Sequence, residues 1–261
     1  MGIRMTDDIG TLSRFAETMA DRARGIALRY FRQKLDVETK ADLSPVTLAD
    51  RTIEAELRQM IAETYPEHGV FGEEEEATGI DRRCIWVIDP IDGTKSFVTG
   101  MPLFGTLIAL LEDGVPRLGL IEASAMKERW LGIAGAATTL NGAPCSTSGC
   151  SELGQARMFT TSPEMFSGDD AKRYQALASR VKVKRYGGDC YAYGLLASGH
   201  VDVVIEASLK PYDYLPCVSV IEAAGGVITD WSGEALSLNS DGRVIVAATP
   251  ELHADMLSYL S

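Results

Sequence analysis

The sequence predicts a mixed α/β fold in two packed subdomains, and three observations carry that prediction. Apolar residues recur at three- and four-residue spacing in the segment before Pro66, the signature of amphipathic helices. Short apolar runs separated by turn signals follow from Cys84. From Met158 onward strand-like and helix-like segments alternate, the pattern of an α/β unit. With 261 residues, 46% of them hydrophobic, the chain has material for one large core or two joined ones.

Leu12, Phe15, Ala16, Met19, Ala23, Ile26, Ala27 and Tyr30 form one apolar stripe and predict a long first helix. The segment 38–45 is polar, contains Ser44-Pro45 and reads as a loop or turn. A second helix is expected after Thr47 or Asp50, with Ile53, Leu57 and Ile61 on one face, stopping before Pro66. Strands are expected over 84–88, ending in Asp89-Pro90, and over 103–111. The turn Glu112-Asp113-Gly114 then leads into a strand over 115–123. Another strand is expected over 129–133, and Asn141-Gly142 is a hairpin turn signal. The first half thus reads as two helices against an antiparallel sheet.

In the second half, strands are expected over 158–161, 181–186, 201–206, 227–229 and 244–248. Helices are expected over 170–179, 190–198, 214–224 and 251–260. The polar segment 145–154 marks the division. Residues 1–148 are expected to form an N-terminal α+β subdomain that carries the metal-binding motif. Residues 149–261 are expected to form a C-terminal α/β subdomain that completes the active site.

Lys and Arg total 25 against 37 Asp and Glu, a net charge of −12, which argues against nucleic acid or an anionic membrane as partner. An anionic substrate stays open, because divalent cations invert the local field of an acidic site. No apolar run approaches the roughly 18 residues of a membrane span. Residues 1–8 lack the apolar core of a secretory signal. The five cysteines are scattered without a CxxC pair, and the three histidines are far apart, so neither a disulfide framework nor a zinc site is expected. These features lead to the expectation of a soluble, reduced, cytoplasmic protein.

Three acidic features carry the chemistry. Gly72-Glu73-Glu74-Glu75-Glu76 is an acidic run of the kind that usually forms a solvated face, but the apolar lead-in Val70-Phe71 would place Glu73 at the edge of a core. In Trp86-Val87-Ile88-Asp89-Pro90-Ile91-Asp92-Gly93-Thr94 two carboxylates sit three apart after a buried strand. An Asp-Pro turn with a helix cap at Asp92 or Thr94 explains one aspartate and not the pair. Two carboxylates leaving a core strand repel unless a cation lies between them, and a hard divalent ion takes oxygen ligands. Amide groups around Gly93 and Thr94 can then face a phosphate. The third feature is Lys210-Pro211-Tyr212-Asp213, at the start of a helix, where an aspartate alone reads equally as a cap. A P-loop, HExxH and GxSxG are absent, and a phosphoaspartyl phosphatase needs its aspartates two apart. Metal-activated water attacking phosphorus is the chemistry left.

These motifs, in this order, resemble those of the inositol monophosphatase superfamily of Mg²⁺-dependent, lithium-sensitive phosphatases. The likeness spans almost the whole chain and includes Ala224-Gly225-Gly226 after Tyr212-Asp213. Tyr212 departs from the tryptophan common before the last aspartate. Within the superfamily the chain is most similar to the histidinol-phosphate phosphatase branch. Lys40-Ala41-Asp42-Leu43-Ser44-Pro45-Val46-Thr47-Leu48-Ala49-Asp50-Arg51 and the run from Arg185 through Gly187, Gly188 and Asp189 to Gly194 carry that likeness.

The resemblance implies a layered α-β-α-β-α sandwich of the inositol monophosphatase and fructose-1,6-bisphosphatase type, in a homodimer. It implies Glu73, Asp89, Asp92, Asp213 and the Ile91 carbonyl as ligands of two or three Mg²⁺ ions, with Mn²⁺ as a substitute and Asp89 bridging. Asp50 and Thr94 would orient and deprotonate the attacking water, and Glu73 would hold a water through a metal. Gly93 and Thr94 would cradle the phosphate, with Glu73, Ile91, Asp92 and Asp213 around the bound substrate. Gly187, Gly188, Asp189 and Glu206 would line the leaving-group pocket beside Arg185. The small phosphorylated substrate implied is L-histidinol phosphate, in histidine biosynthesis. Inositol-1-phosphate is the alternative, and a broad-specificity monoesterase comes with it. A regulatory or partner-binding protein that kept the fold is the reading outside enzymes.

Overall fold

The computed structural model describes residues 8–33, 37–39 and 45–260. The long helix α1 (Ile9–Tyr30) is followed by β1 (Val37–Thr39), β2 (Pro45–Thr47) and α2 (Leu48–Thr64). Next come β3 (Gly69–Gly72), β4 (Cys84–Asp92), the short α3 (Thr94–Val98), β5 (Gly105–Glu112), β6 (Val115–Ala123) and β7 (Glu128–Ile133). The hairpin of β8 (Thr139–Leu140) and β9 (Ala143–Pro144) turns at Asn141 and Gly142, both in the left-handed region at φ 50° and 81°. After the connection come β10 (Arg157–Thr160), α4 (Gly168–Ala178), β11 (Val183–Tyr186), α5 (Asp189–Ala197) and β12 (Val203–Glu206). The chain closes with α6 (Pro211–Ala223), β13 (Val227–Asp230), β14 (Val244–Ala247) and α7 (Pro250–Leu257).

Two sheets result. The larger runs β3-β4-β5-β6-β7-β8-β9 and the smaller β11-β10-β12-β14-β13. Period-two alternation along the strands sorts their side chains into three apolar layers. On the larger sheet Trp86, Ile88, Ile108, Leu110, Leu118 and Leu120 pack against Met19, Ile26, Ile53, Leu57 and Ile61 of α1 and α2. The alternate residues Ile85, Val87, Leu107, Ala109, Leu111 and Ile121 face the other way, onto α5 and α6. Those helices are apolar on nearly every side, because Val204, Val244 and Val246 of the smaller sheet cover them from below. Val203, Ile205, Ile245 and Ala247 then meet Tyr174, Leu177, Leu252 and Met256 of α4 and α7. The order is helix, sheet, helix, sheet, helix, the layered sandwich that the resemblance implied.

The structure departs from the sequence reading in three places. Within 38–45, Glu38, Thr39 and Pro45 belong to an antiparallel pair, with Val37 opposite Thr47 and Thr39 opposite Pro45. The part of the signature from Lys40 to Ser44 lies outside the described residues. The larger sheet is not wholly antiparallel, since β3 pairs parallel with β4; four residues with a glycine at each end give no periodic signal. Finally, β4 does not stop at Ile88 but runs through Asp89-Pro90 to Asp92.

Candidate active site

On a regular strand two residues three apart point to opposite faces. On β4 they do not. Asp89 pairs with Leu107 and Asp92 with Gly105, so three steps on β4 match two on β5, which is a one-residue bulge. Ile91 is thereby turned into the core beneath α1 and α2, and Asp92 joins Asp89 on the face toward α5 and α6. Pro90 has no N–H to lose to the ladder, and its carbonyl accepts from Thr106 Oγ1 at 2.8 Å. Gly93 follows at φ 79° and caps α3, a place where neither Asp92 nor Thr94 acts as cap. A Cβ there would also stand 3.0 Å from Asp189 Oδ2.

Asp213 arrives from the far side of the chain. It sits in the first turn of α6, where Pro211 opens the helix, and its Oδ2 accepts from the Lys210 N–H at 2.7 Å. It is therefore a cap through one oxygen and a site residue through the other. Asp92 Oδ2 accepts from the Cys190 N–H at 2.6 Å, which fixes it against the first turn of α5. Asp89, Asp92 and Asp213 thus present ligand oxygens within 4.8 Å of one another.

The electrostatics show what this arrangement costs. Burial holds the Asp89 carboxyl well above the usual carboxylate range, and the charges of Glu73, Asp92, Asp213 and Asp50 push it further up. Burial also raises Asp92 to about 8, with Asp189 and Asp213 adding to the shift. Asp213 is raised by burial to about 6, opposed by the Lys210 N–H and a hydrogen bond from Asp89. Asp89 Oδ1 is buried and has no hydrogen-bond partner among the described residues. Clustered acidic oxygens, one of them orphaned, suit a hard cation, so the residues fit a divalent metal with oxygen ligands.

Asp50, in the first turn of α2, is buried and acts on Asp89 from one side. Glu73, just past β3, acts on it from another. Thr94 is half-buried at the start of α3, and its Oγ1 donates to the Ile91 carbonyl at 3.0 Å. Carboxylates from α2, the end of β3, β4 and α6 are therefore brought to one point.

The expected leaving-group residues are less uniform. Asp189, at φ 43°, is not the cap of α5, a role that falls to Gly188; its Oδ2 instead accepts from Ser96 Oγ at 2.7 Å. Burial raises its pKa, while Ser96 and the charge of Lys95 oppose the rise. Glu206 ends β12 fully buried, its Oε1 accepting from Thr161 N–H at 2.8 Å and Thr161 Oγ1 at 3.1 Å. Burial pushes it to about 8, so it carries a proton at neutral pH and adds no full charge to a pocket rim. Gly188 is packed so closely that a Cβ would meet the Phe159 ring at 2.8 Å, whereas Arg185 is exposed on the edge strand β11. Sequence reasoning missed Ser96 and Glu54, which hold two of these parts; nothing local marks Ser96, whereas Glu54 is signalled by its four-residue spacing from Asp50 and Arg58 on an apolar helix face.

The family model described as the inositol monophosphatase family matches residues 8–261. The chain belongs to this family. Its members are metal-dependent phosphatases that hydrolyse phosphoric monoesters, and the chain is an enzyme of that class. It is 46% identical to the bifunctional phosphatase IMPL2 of Arabidopsis thaliana over 95% of this chain and 75% of that protein. It is 36% identical to a histidinol-phosphatase of Chlorobaculum parvum over 92% of each chain. An inositol monophosphatase from Zymomonas mobilis superposes with a TM-score of 0.89 at 41% identity, covering 98% of this chain and 99% of that one. The Arabidopsis protein is described as chloroplastic, which the cytoplasmic expectation does not fit. Among the described residues no helix is long and apolar enough to cross a membrane.

Proposed function

We propose that this family member is a Mg²⁺-dependent phosphatase whose substrate is L-histidinol phosphate. The observation that carries the reading is the convergence of Asp89, Asp92 and Asp213, with an oxygen on Asp89 unpartnered among the described residues, and with the Asp189 carboxylate near enough for its charge to act on Asp92. Asp89, Asp92, Asp213, Glu73 and the Ile91 carbonyl would hold two or three Mg²⁺ ions. Bound there, the ions supply charge neutralisation at the phosphoryl group and Lewis-acid activation of water.

The chain's own residues do the rest. Thr94 Oγ1 donates a hydrogen bond to the Ile91 carbonyl, which leaves its lone pairs free to accept from an attacking water. Asp50 takes part in receiving the water's proton. The N–H groups of Gly93 and Thr94 face the phosphate. Asp189, oriented by Ser96, pairs with the ammonium or imidazolium of histidinol. Similarity to histidinol-phosphatases at 36% identity supports this choice.

Inositol-1-phosphate is the second reading, favoured by 41% identity to the Zymomonas inositol monophosphatase. Phosphate release from both substrates, side by side, decides between them. With histidinol phosphate as substrate, Asp189→Asn should lower kcat/KM on it about ten- to a hundredfold, the value of a charged hydrogen bond, and leave inositol-1-phosphate near wild type. Equal losses on both would put inositol-1-phosphate first.

A further inference from the structure

Helix α2 carries a polar edge inside an otherwise apolar face: Asp50, Glu54 and Arg58 recur at four-residue spacing among Ile53, Leu57 and Ile61. Glu54 is fully buried, and it spends both carboxylate oxygens on one loop. Its Oε2 accepts from the Glu74 N–H at 2.7 Å and its Oε1 from the Glu75 N–H at 3.0 Å. Arg58 Nε donates to Glu54 Oε1 at 2.8 Å, and Arg58 Nη2 to the Glu75 carbonyl at 3.0 Å. The loop's far end is closed by two backbone bonds between Val70 and Thr78, at 2.8 and 2.9 Å. Gly72 is the only residue type that admits this approach, since a Cβ there would collide with Glu54 Oε1.

The two N–H groups so gripped are those directly after Glu73. Left to itself, a run of four glutamates swings toward water, because like charges repel and each carboxylate prefers solvation. Burying a further carboxylate on α2 is costly. The same helix that presents Asp50 to the cluster therefore also sets where Glu73 stands.

We infer that Glu54 is a positioning residue that fixes Glu73 within reach of Asp89 and thereby sets the protein's affinity for its divalent cation. The inference rests on the metal-dependent reading above. Arg58 bridges Glu54 Oε1 and the Glu75 carbonyl and so ties the carboxylate to the loop. Neither touches the cation or the substrate.

The test titrates metal-free full-length protein with Mg²⁺ and reads two quantities: the rise in Tm without substrate, and the Mg²⁺ concentration at half-maximal hydrolysis alongside kcat at saturating Mg²⁺. Glu54→Gln places an amide donor against the loop N–H groups or Arg58. It should raise the half-saturating Mg²⁺ concentration about ten- to a hundredfold in both readouts, with kcat at saturation within about threefold of wild type. Arg58→Gln should shift it the same way by at least about threefold, and it carries the test if Glu54→Gln does not fold. A folded Glu54→Gln protein with a lower Tm but unchanged Mg²⁺ response makes Glu54 merely structural and overturns the inference. So does an unchanged response in Arg58→Gln, should Glu54→Gln not fold. Wild-type protein indifferent to Mg²⁺ in both readouts overturns the metal-dependent reading itself, and this inference with it.

Discussion

Asp89 has a buried oxygen with no hydrogen-bond partner among the described residues, and the charges of four other acidic residues act on it. In the absence of a cation it is a source of instability, and that predicts opposite effects of one substitution. Asp89→Asn should raise the Tm of the metal-free protein by about 2–4 °C, equivalent to about 1 kcal/mol of relieved repulsion. The same variant should lose at least about a thousandfold in turnover, because the charge opposing the phosphoryl group is no longer held in place. Phosphate release and thermal unfolding on one preparation check both; turnover near wild type would refute the assignment. Glu206 gives a pH prediction. Its folded-state pKa of about 8 lies above the ordinary 4.5, so the stability carried by its neutral form is complete below the ordinary value and lost as pH rises through about 8. Glu206→Gln cannot ionise, so its Tm relative to wild type should climb between pH 6 and pH 9. A flat difference across that range would contradict the buried, protonated state.

At the scale of elements, α6 matters most, because it lies directly on the larger sheet and carries Asp213 in its first turn. The contact is backbone to backbone. A Cβ at Gly119 of β6 would collide with the Pro216 carbonyl, and one at Gly132 of β7 with the Ser219 carbonyl. Gly119→Ala should therefore destabilise by about 1–3 kcal/mol through overpacking, and weaken Mg²⁺ binding as the helix shifts. Gly25 on α1 is the contrasting case, exposed and with open space within 4 Å of where a Cβ would stand. Gly25→Ala should stabilise by about 0.5–1 kcal/mol, since it removes backbone entropy from a helix interior. Denaturant midpoints for the pair separate the two effects; equal signs would show that the tight contact of α6 is not what limits Gly119.

For the molecule as a whole, a net charge of −12 is joined to a cluster of carboxylates drawn from β4 and α6. The central layer draws Ile85 and Leu107 from the larger sheet and Val204 and Val246 from the smaller, so the cluster lies where their packing is shared. A ligand that binds only the folded form stabilises all of it. Mg²⁺ at about a hundred times its dissociation constant should add about 2.7 kcal/mol, seen as a higher Tm. Excess EDTA should reverse the rise and abolish hydrolysis together. Hydrolysis that survives EDTA would remove the metal from the mechanism.

Features that depend on neighbours a few residues apart are legible in the chain before it folds. The stripe from Leu12 to Tyr30 identifies α1 and its buried face, Asn141-Gly142 supplies the two left-handed residues of a hairpin, and the three acidic motifs are recognisable in order. Features that depend on distant partners emerge only in three dimensions. Asp92 meets the Cys190 N–H across 98 positions, Ser96 meets Asp189 across 93, and Glu54 meets the loop N–H groups across 20 and 21. Periodicity has no term for such contacts. The bulge in β4 is the plainest case: two aspartates three apart would face opposite ways on any regular strand. They share a face only because β5 pairs Leu107 with Asp89 and Gly105 with Asp92, a register set by the neighbouring strand.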